Sequence, residues 1–110
     1  MPASLRRETI LVRYPFSDLS SAKVRPAVVI HAPHPSLDAL IVPLTSRVTG
    51  LLPGEFVLAD WQTAGMNVPT AVKRGIYTIH SALIIKQLAT LTEHDAQHLD
   101  ESLRAWLGLP

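Results

Sequence analysis

The sequence predicts a small, mainly β protein: a partly open barrel of five to seven short strands, capped by one C-terminal α-helix. The chain has 110 residues, 47% of them hydrophobic, which is one domain with enough apolar side chain to bury a core without covalent staples. Nine prolines and five glycines break the apolar runs at short intervals, the punctuation of strands and turns rather than of long helices. Only residues 92–107 carry a sustained helical period.

Taken in order, Ile10, Val12 and Tyr14 alternate with Thr9, Leu11 and Arg13, a first strand with two fairly apolar faces. Residues 27–31 form a continuous β-branched run and residues 39–44 a second, both expected as buried strands. A short strand at 55–58 follows the Leu52-Pro53-Gly54 turn, and 70–72 and 84–91 are further strands. Residues 76–83 fit either a strand or a helical turn. At 92–95 the run Thr-Glu-His-Asp reads as a capping box, a hydroxyl N-cap with a carboxylate three residues on. Ala96, Leu99, Leu103, Trp106 and Leu107 then share one helical stripe, and Gly108 is placed to end it. Between the first two strands lie about ten polar residues, where two to five suffice for a hairpin, and they end on Lys23-Val24-Arg25-Pro26.

Composition removes several classes of function. Without cysteine there is no disulfide framework, thiolate metal site or cysteine nucleophile. No phosphate-binding glycine loop, dinucleotide fingerprint or serine elbow occurs. No apolar run approaches the roughly 20 residues of a membrane span, and no signal-peptide core follows Arg6-Arg7, so a soluble, cytoplasmic single domain over residues 1–110 is expected. Net charge is only +1, but it is divided: Lys and Arg predominate up to residue 91, Asp and Glu after it. A mildly basic body is compatible with a polyanionic partner, and equally with ordinary solvated charge.

Two histidine pairs have spacings that could serve a ligand. His94 and His98 stand at i, i+4 with Asp95 between, but both fall opposite the apolar stripe, and a solvated helix face is the better reading than a metal site. His31 and His34 flank Pro33 in a loop with no evident partner. The remaining cluster sits at strand ends. If the second and third strands pair antiparallel, Arg25 shares a rim with Thr45 and Ser46, beneath the long loop. A guanidinium fork beside hydroxyl donors suits a phosphate. The competing reading is an arginine bonding loop carbonyls beside a capping threonine.

These residues also carry a resemblance. "ILVRYPFSDLSSAKVRPAVVI" resembles the opening of the MazF/PemK toxins, "IVPLTSR" their second block, and "YTIHSALIIKQLATLTEHDAQHL" their third, together spanning about Glu8 to Leu107. The resemblance implies an SH3-like small barrel of the CcdB/PemK type with a C-terminal helix, usually a homodimer. It implies the toxin of a type II toxin–antitoxin system: a sequence-specific endoribonuclease (an mRNA interferase) that cuts single-stranded RNA without metal or cofactor and is neutralised by a cognate antitoxin. Carried over by position, Arg25 and Thr45 would be catalytic. Phe16, Ser17, Ser20, Lys23, Ser46 and Arg47 would frame the RNA, with residues 16–24 as a flap. The chain departs from the family pattern where Glu8-Thr9 replace an opening Gly-acid pair, His80 replaces an aspartate, Val72 and Arg74 replace an Arg-x-Asp pair, and Ala89 replaces a glycine. Two alternatives follow: a CcdB-like gyrase-poisoning toxin on the same fold, or an inactive barrel that binds RNA or antitoxin.

Overall fold

The computed structural model describes residues 5–14, 23–31 and 36–110. Seven strands and one helix follow in chain order: β1 (Glu8–Tyr14), β2 (Lys23–Val29), β3 (Asp38–Thr45), β4 (Phe56–Val57), β5 (Ala71–Val72), β6 (Tyr77–His80), β7 (Ile84–Thr90) and α1 (Glu93–Leu107). All pair antiparallel, in the order β4-β5-β3-β2-β1-β7, with β6 also beside β3. The outermost strands β4 and β7 do not pair with each other, so the barrel stays open, as expected. The ambiguous stretch 76–83 is both things in succession: strand β6, then a 3-10 turn at Ser81–Leu83.

The central strands are covered on both faces, which is why their sequence is continuously apolar rather than alternating. Val28 and Val42 pack with Phe56, Leu58, Ala96 and Leu99 under the helix. On the other face Ile10, Val12, Ala27, Val29, Ile41 and Ile79 fill the curl of the sheet. Each valine, leucine, isoleucine or phenylalanine among them contributes about 1.5–3 kcal/mol by leaving water.

The helix is fastened by polar contacts that the apolar stripe does not reveal. The Thr92 hydroxyl accepts from the Asp95 N–H, the first half of the capping box. Asp95 does not complete the box. Its carboxylate turns inward, 1% exposed, and accepts the N–H groups of Ala59 and Asp60 at 2.8 and 2.9 Å. Thr92 donates in turn to the Asp60 carboxylate at 2.7 Å. At the other end Ser102 donates to Gly54 O and the Trp106 indole to Pro53 O, clamping the turn before β4. A side chain at Gly54 would run into Trp106. Leu107, expected on the buried stripe, is exposed, whereas Ser102 is buried. Gly108 ends the helix in the left-handed conformation, φ 67°.

His94 and His98 are both exposed on the helix, as expected. His98 is not a purely solvated residue: its ring stacks on Phe56 with centroids 3.6 Å apart. His31 accepts the Leu40 N–H on Nδ1 and so fastens β3, while His34 lies outside the described residues. His80, in place of the family's aspartate, does work an aspartate could do: its Nδ1 accepts the Ala82 N–H and caps the 3-10 turn. The acidic helix is partly neutralised by the opposite end of the chain, where Arg6 and Arg7 pair with Asp100 and Glu93.

Candidate functional site

The pairing of β2 with β3 runs Val29↔Ile41, Val28↔Val42, Ala27↔Pro43 and then stops. The next reciprocal bond would need an amide hydrogen at residue 26, and Pro26 has none. Beyond this point β3 pairs on its other edge, Leu44↔Val72 and Thr45↔Ala71. Continuing the β2–β3 register two residues further brings Arg25 level with Thr45 across an unzipped gap. Both line one cavity of about 810 Å³, a volume within the usual range for ligand sites of about 300–1,000 Å³.

Among the described residues four cations line this cavity, Lys23, Arg25, Lys73 and Lys86, and no carboxylate does. Among the described residues the ion pairs are those of Arg6 and Arg7 with the helix, so Arg25, Lys73 and Lys86 are not neutralised by one. Cations concentrated in a concave, partly apolar site raise the local concentration of an anion. Hydroxyls come from Tyr14, Thr45, Ser46 and Thr70. Thr45 Oγ1 accepts the Arg47 N–H at 3.1 Å, which occupies a lone pair and leaves its proton to donate. The Tyr14 phenol is pushed up to about 12, by burial first and Tyr77 next, with Arg25 partly opposing them. It is therefore a neutral donor at any physiological pH.

Each sequence-predicted residue can now be placed. Arg25, Thr45, Lys23 and Ser46 meet in the cavity. Arg47 does not line it; it is exposed on the turn beyond β3. Phe16, Ser17 and Ser20 lie outside the described residues, as does most of the expected flap. Lys23 and Val24 are not part of a flap at all: β2 begins at Lys23, opposite Tyr14, four residues before the strand start expected at 27.

Sequence reasoning missed Lys73 and Lys86. Lys86 reaches the site because β7 pairs with β1, Leu11↔Lys86. Lys73 does so through a bulge, where residues 73–76 stand opposite only two residues of β3. The bulge is held by the Lys73 N–H to Pro43 O at 2.9 Å and the Arg74 N–H to the Glu55 carboxylate at 2.8 Å. The amides of Arg74 and Leu52 hold Glu55 below the usual carboxylate range. Of the departures from the family pattern, Val72 is buried core and Arg74 is exposed on the bulge; neither lines the cavity.

The fourth wall is the segment 65–68, with Gly65, Met66, Asn67 and Val68 all lining the cavity. Among the described residues no group of three or more His, Cys, Asp or Glu is arranged to hold a metal, and no helix is long and apolar enough to cross a membrane.

A family model described as PemK-like, MazF-like toxin of type II toxin–antitoxin system matches residues 6–107. No curated protein sequence matches the chain. Among solved structures, an endoribonuclease in complex with its cognate antitoxin from Mycobacterial species superposes with a TM-score of 0.78 at 17% identity, covering 98% of each chain. The MazE–MazF structure from Deinococcus radiodurans gives 0.79 at 18%, covering 99% of this chain and 100% of that one. The Mycobacterium tuberculosis toxin MazF-mt6 gives 0.74 at 22%, covering 94% and 99%. At these identities the likeness establishes the fold.

Proposed function

Since the chain belongs to the PemK-like, MazF-like toxins of type II toxin–antitoxin systems, we propose that it is a cytoplasmic endoribonuclease that cuts single-stranded RNA in the Arg25–Thr45 cavity. The observation that carries this reading is the cavity's charge: four cations gathered where β2 and β3 part, with no carboxylate among the described lining residues.

The reaction is an attack of the RNA 2′-oxygen on the adjacent phosphorus. The P–O5′ bond breaks, the 2′-hydroxyl proton passing to water and O5′ taking a proton from water, which leaves a 2′,3′-cyclic phosphate and a 5′-hydroxyl. Negative charge builds on the phosphoryl oxygens in the transition state. Arg25 meets two of them with parallel N–H donors, and Thr45 adds a hydroxyl donor. Lys23, with Lys73 and Lys86, holds the neighbouring backbone, and Ser46 supplies a further polar contact. Arg25 stabilises charge and does not accept the proton, because a guanidinium stays ionised in proteins. These donors complete the electrostatic requirement, so the scheme needs no metal or cofactor. Phe16, Ser17, Ser20 and Arg47 are proposed to contact the RNA.

One of the similar structures is an endoribonuclease in complex with its cognate antitoxin, and another holds MazE with MazF. A cognate antitoxin with an acidic, extended segment would compete for this same cationic cavity, and a homodimer is the proposed working state.

The test is cleavage of a long single-stranded RNA by antitoxin-free protein in EDTA, with the ends mapped. Site-specific cuts, lost in Arg25→Ala and Thr45→Ala, are expected. Intact RNA, together with growth arrest on expression, would overturn the reading in favour of a gyrase poison. Intact RNA without arrest would favour an inactive binding barrel.

A further inference from the structure

The two sides of the cavity differ in chemistry. The strand ends, the bulge and β7 bring cations and hydroxyls, while the segment 65–68 brings no charge. A nucleic-acid strand that sets its phosphates against the first side turns its bases toward the second. On that second side Asn67 offers a planar donor and acceptor together, between the apolar side chains of Met66 and Val68. Among the described residues the Asn67 amide has no hydrogen-bond partner. Val68 is 51% exposed, an aliphatic face with nothing yet packed on it.

The backbone that carries Asn67 is held on both sides. The Met66 N–H donates to Trp61 O at 3.0 Å, and the Gly65 N–H to Gln62 O at 3.0 Å. Thr70 Oγ1 donates to Val68 O at 2.8 Å. One residue earlier, buried Ala64 accepts from the Thr9 hydroxyl of β1 at 2.8 Å. Gly65 has φ +87°, and a Cβ there would sit 3.1 Å from Leu88 Cβ of β7. The segment is thus pressed against the sheet, and a reader of base edges needs a rigid mount of this kind.

We propose that Asn67 is a specificity-determining residue: it reads the base beside the scissile phosphate, and adenine is the base it selects. Unpaired bases in RNA present their hydrogen-bonding edges and both faces. An asparagine amide matches adenine's N6 donor and N7 acceptor in a bidentate pair, and the aliphatic neighbours contact the ring. Lysines and hydroxyls elsewhere in the cavity lack that planar pairing. This inference rests on the RNA-cleaving reading above.

The experiment digests a random-sequence single-stranded RNA pool with the wild type, Asn67→Ala and Asn67→Asp, and sequences the cut ends. Base frequencies are compared within each digest, so a change in overall rate does not enter. The wild type is expected to favour adenine at one position beside the cut. Asn67→Ala should lower that preference by about fivefold or more while still cutting at the remaining motif. Asn67→Asp, an acceptor only, should move the preference there toward cytosine, whose N4 donates. A motif unchanged in Asn67→Ala overturns the inference and leaves the nuclease reading standing, as does loss of a position that is not adenine. A wild type that leaves the pool intact overturns both.

Discussion

Replacing Asp95 with asparagine keeps the shape of the side chain and removes half of what it does. Its carboxylate accepts two backbone N–H groups, from Ala59 and Asp60, in a site from which water is excluded. Asparagine presents one oxygen and one NH2, so one N–H keeps an acceptor and the other faces a donor. Two costs follow from exchanging a charged acceptor for a neutral amide: a charged hydrogen bond worth about 1.5–3 kcal/mol is lost, and a buried donor is left unsatisfied at about 1–3 kcal/mol. The carboxylate also sits in the first turn of α1, where its interaction with the helix dipole contributes about 0.3–1 kcal/mol. Allowing for overlap between these contributions, the expected loss is about 3–5 kcal/mol, a large share of the roughly 5–15 kcal/mol that stabilises a domain. With a urea m-value of about 2 kcal/mol/M, the unfolding midpoint should fall by about 1.5–2.5 M. Ala59 and Asp60 also begin the segment that carries the cavity's uncharged wall. Amide exchange at Ala64, Gly65 and Met66 should therefore accelerate more than exchange in β1. A midpoint shift below about 0.5 M would refute the account of Asp95 as the fastener between helix and wall.

Two further outcomes follow from the cavity. Lys73→Ala and Lys86→Ala should each make RNA binding less sensitive to salt, reducing the slope of log K against log salt by about 0.7 per cation removed; binding titrations across a salt series would show it, and an unchanged slope would place that lysine outside the RNA path. Tyr14 titrates higher in the folded chain than its ordinary value of 10.0, at about 12. Its contribution to stability is therefore complete below pH 10 and lost as the pH rises toward 12. Tyr14→Phe should flatten that alkaline decline in thermal melts, and an unaltered decline would contradict the burial assigned to the phenol.

The parts of the fold that were legible in the sequence are those set by local chemistry. Ala27-Val28-Val29 announces two-sided burial because no polar residue interrupts it, and Thr92 and Gly108 announce the helix ends through their own conformational preferences. What local pattern misses is register and long-range partnership. Lys23 and Arg25 look like a loop exit until β1 is known to pair as far as Tyr14↔Lys23. Lys86 has no signature of its own, because only the β1–β7 register brings it beside Leu11. Asp95 fits the capping box by spacing, yet its carboxylate is taken by amides 35 and 36 residues away. Arg25 and Thr45 were accessible from the sequence because antiparallel pairing of the apolar runs on either side, Ala27 against Pro43, sets residue 25 level with residue 45.

That boundary has a consequence for how tightly a ligand can be held. Two strands that could zip shut would have to be prised apart each time a substrate entered, and every kilocalorie of separation would be subtracted from affinity. Here the missing amide hydrogen of Pro26 removes one of the two reciprocal bonds that closure at this point would form. The strands are already apart where Arg25 faces Thr45, and a site that is formed before binding spares the cost of forming it. An inhibitor or antitoxin that fills the gap meets it already formed, and a rigid ligand shaped to it would lose no binding energy to strand opening.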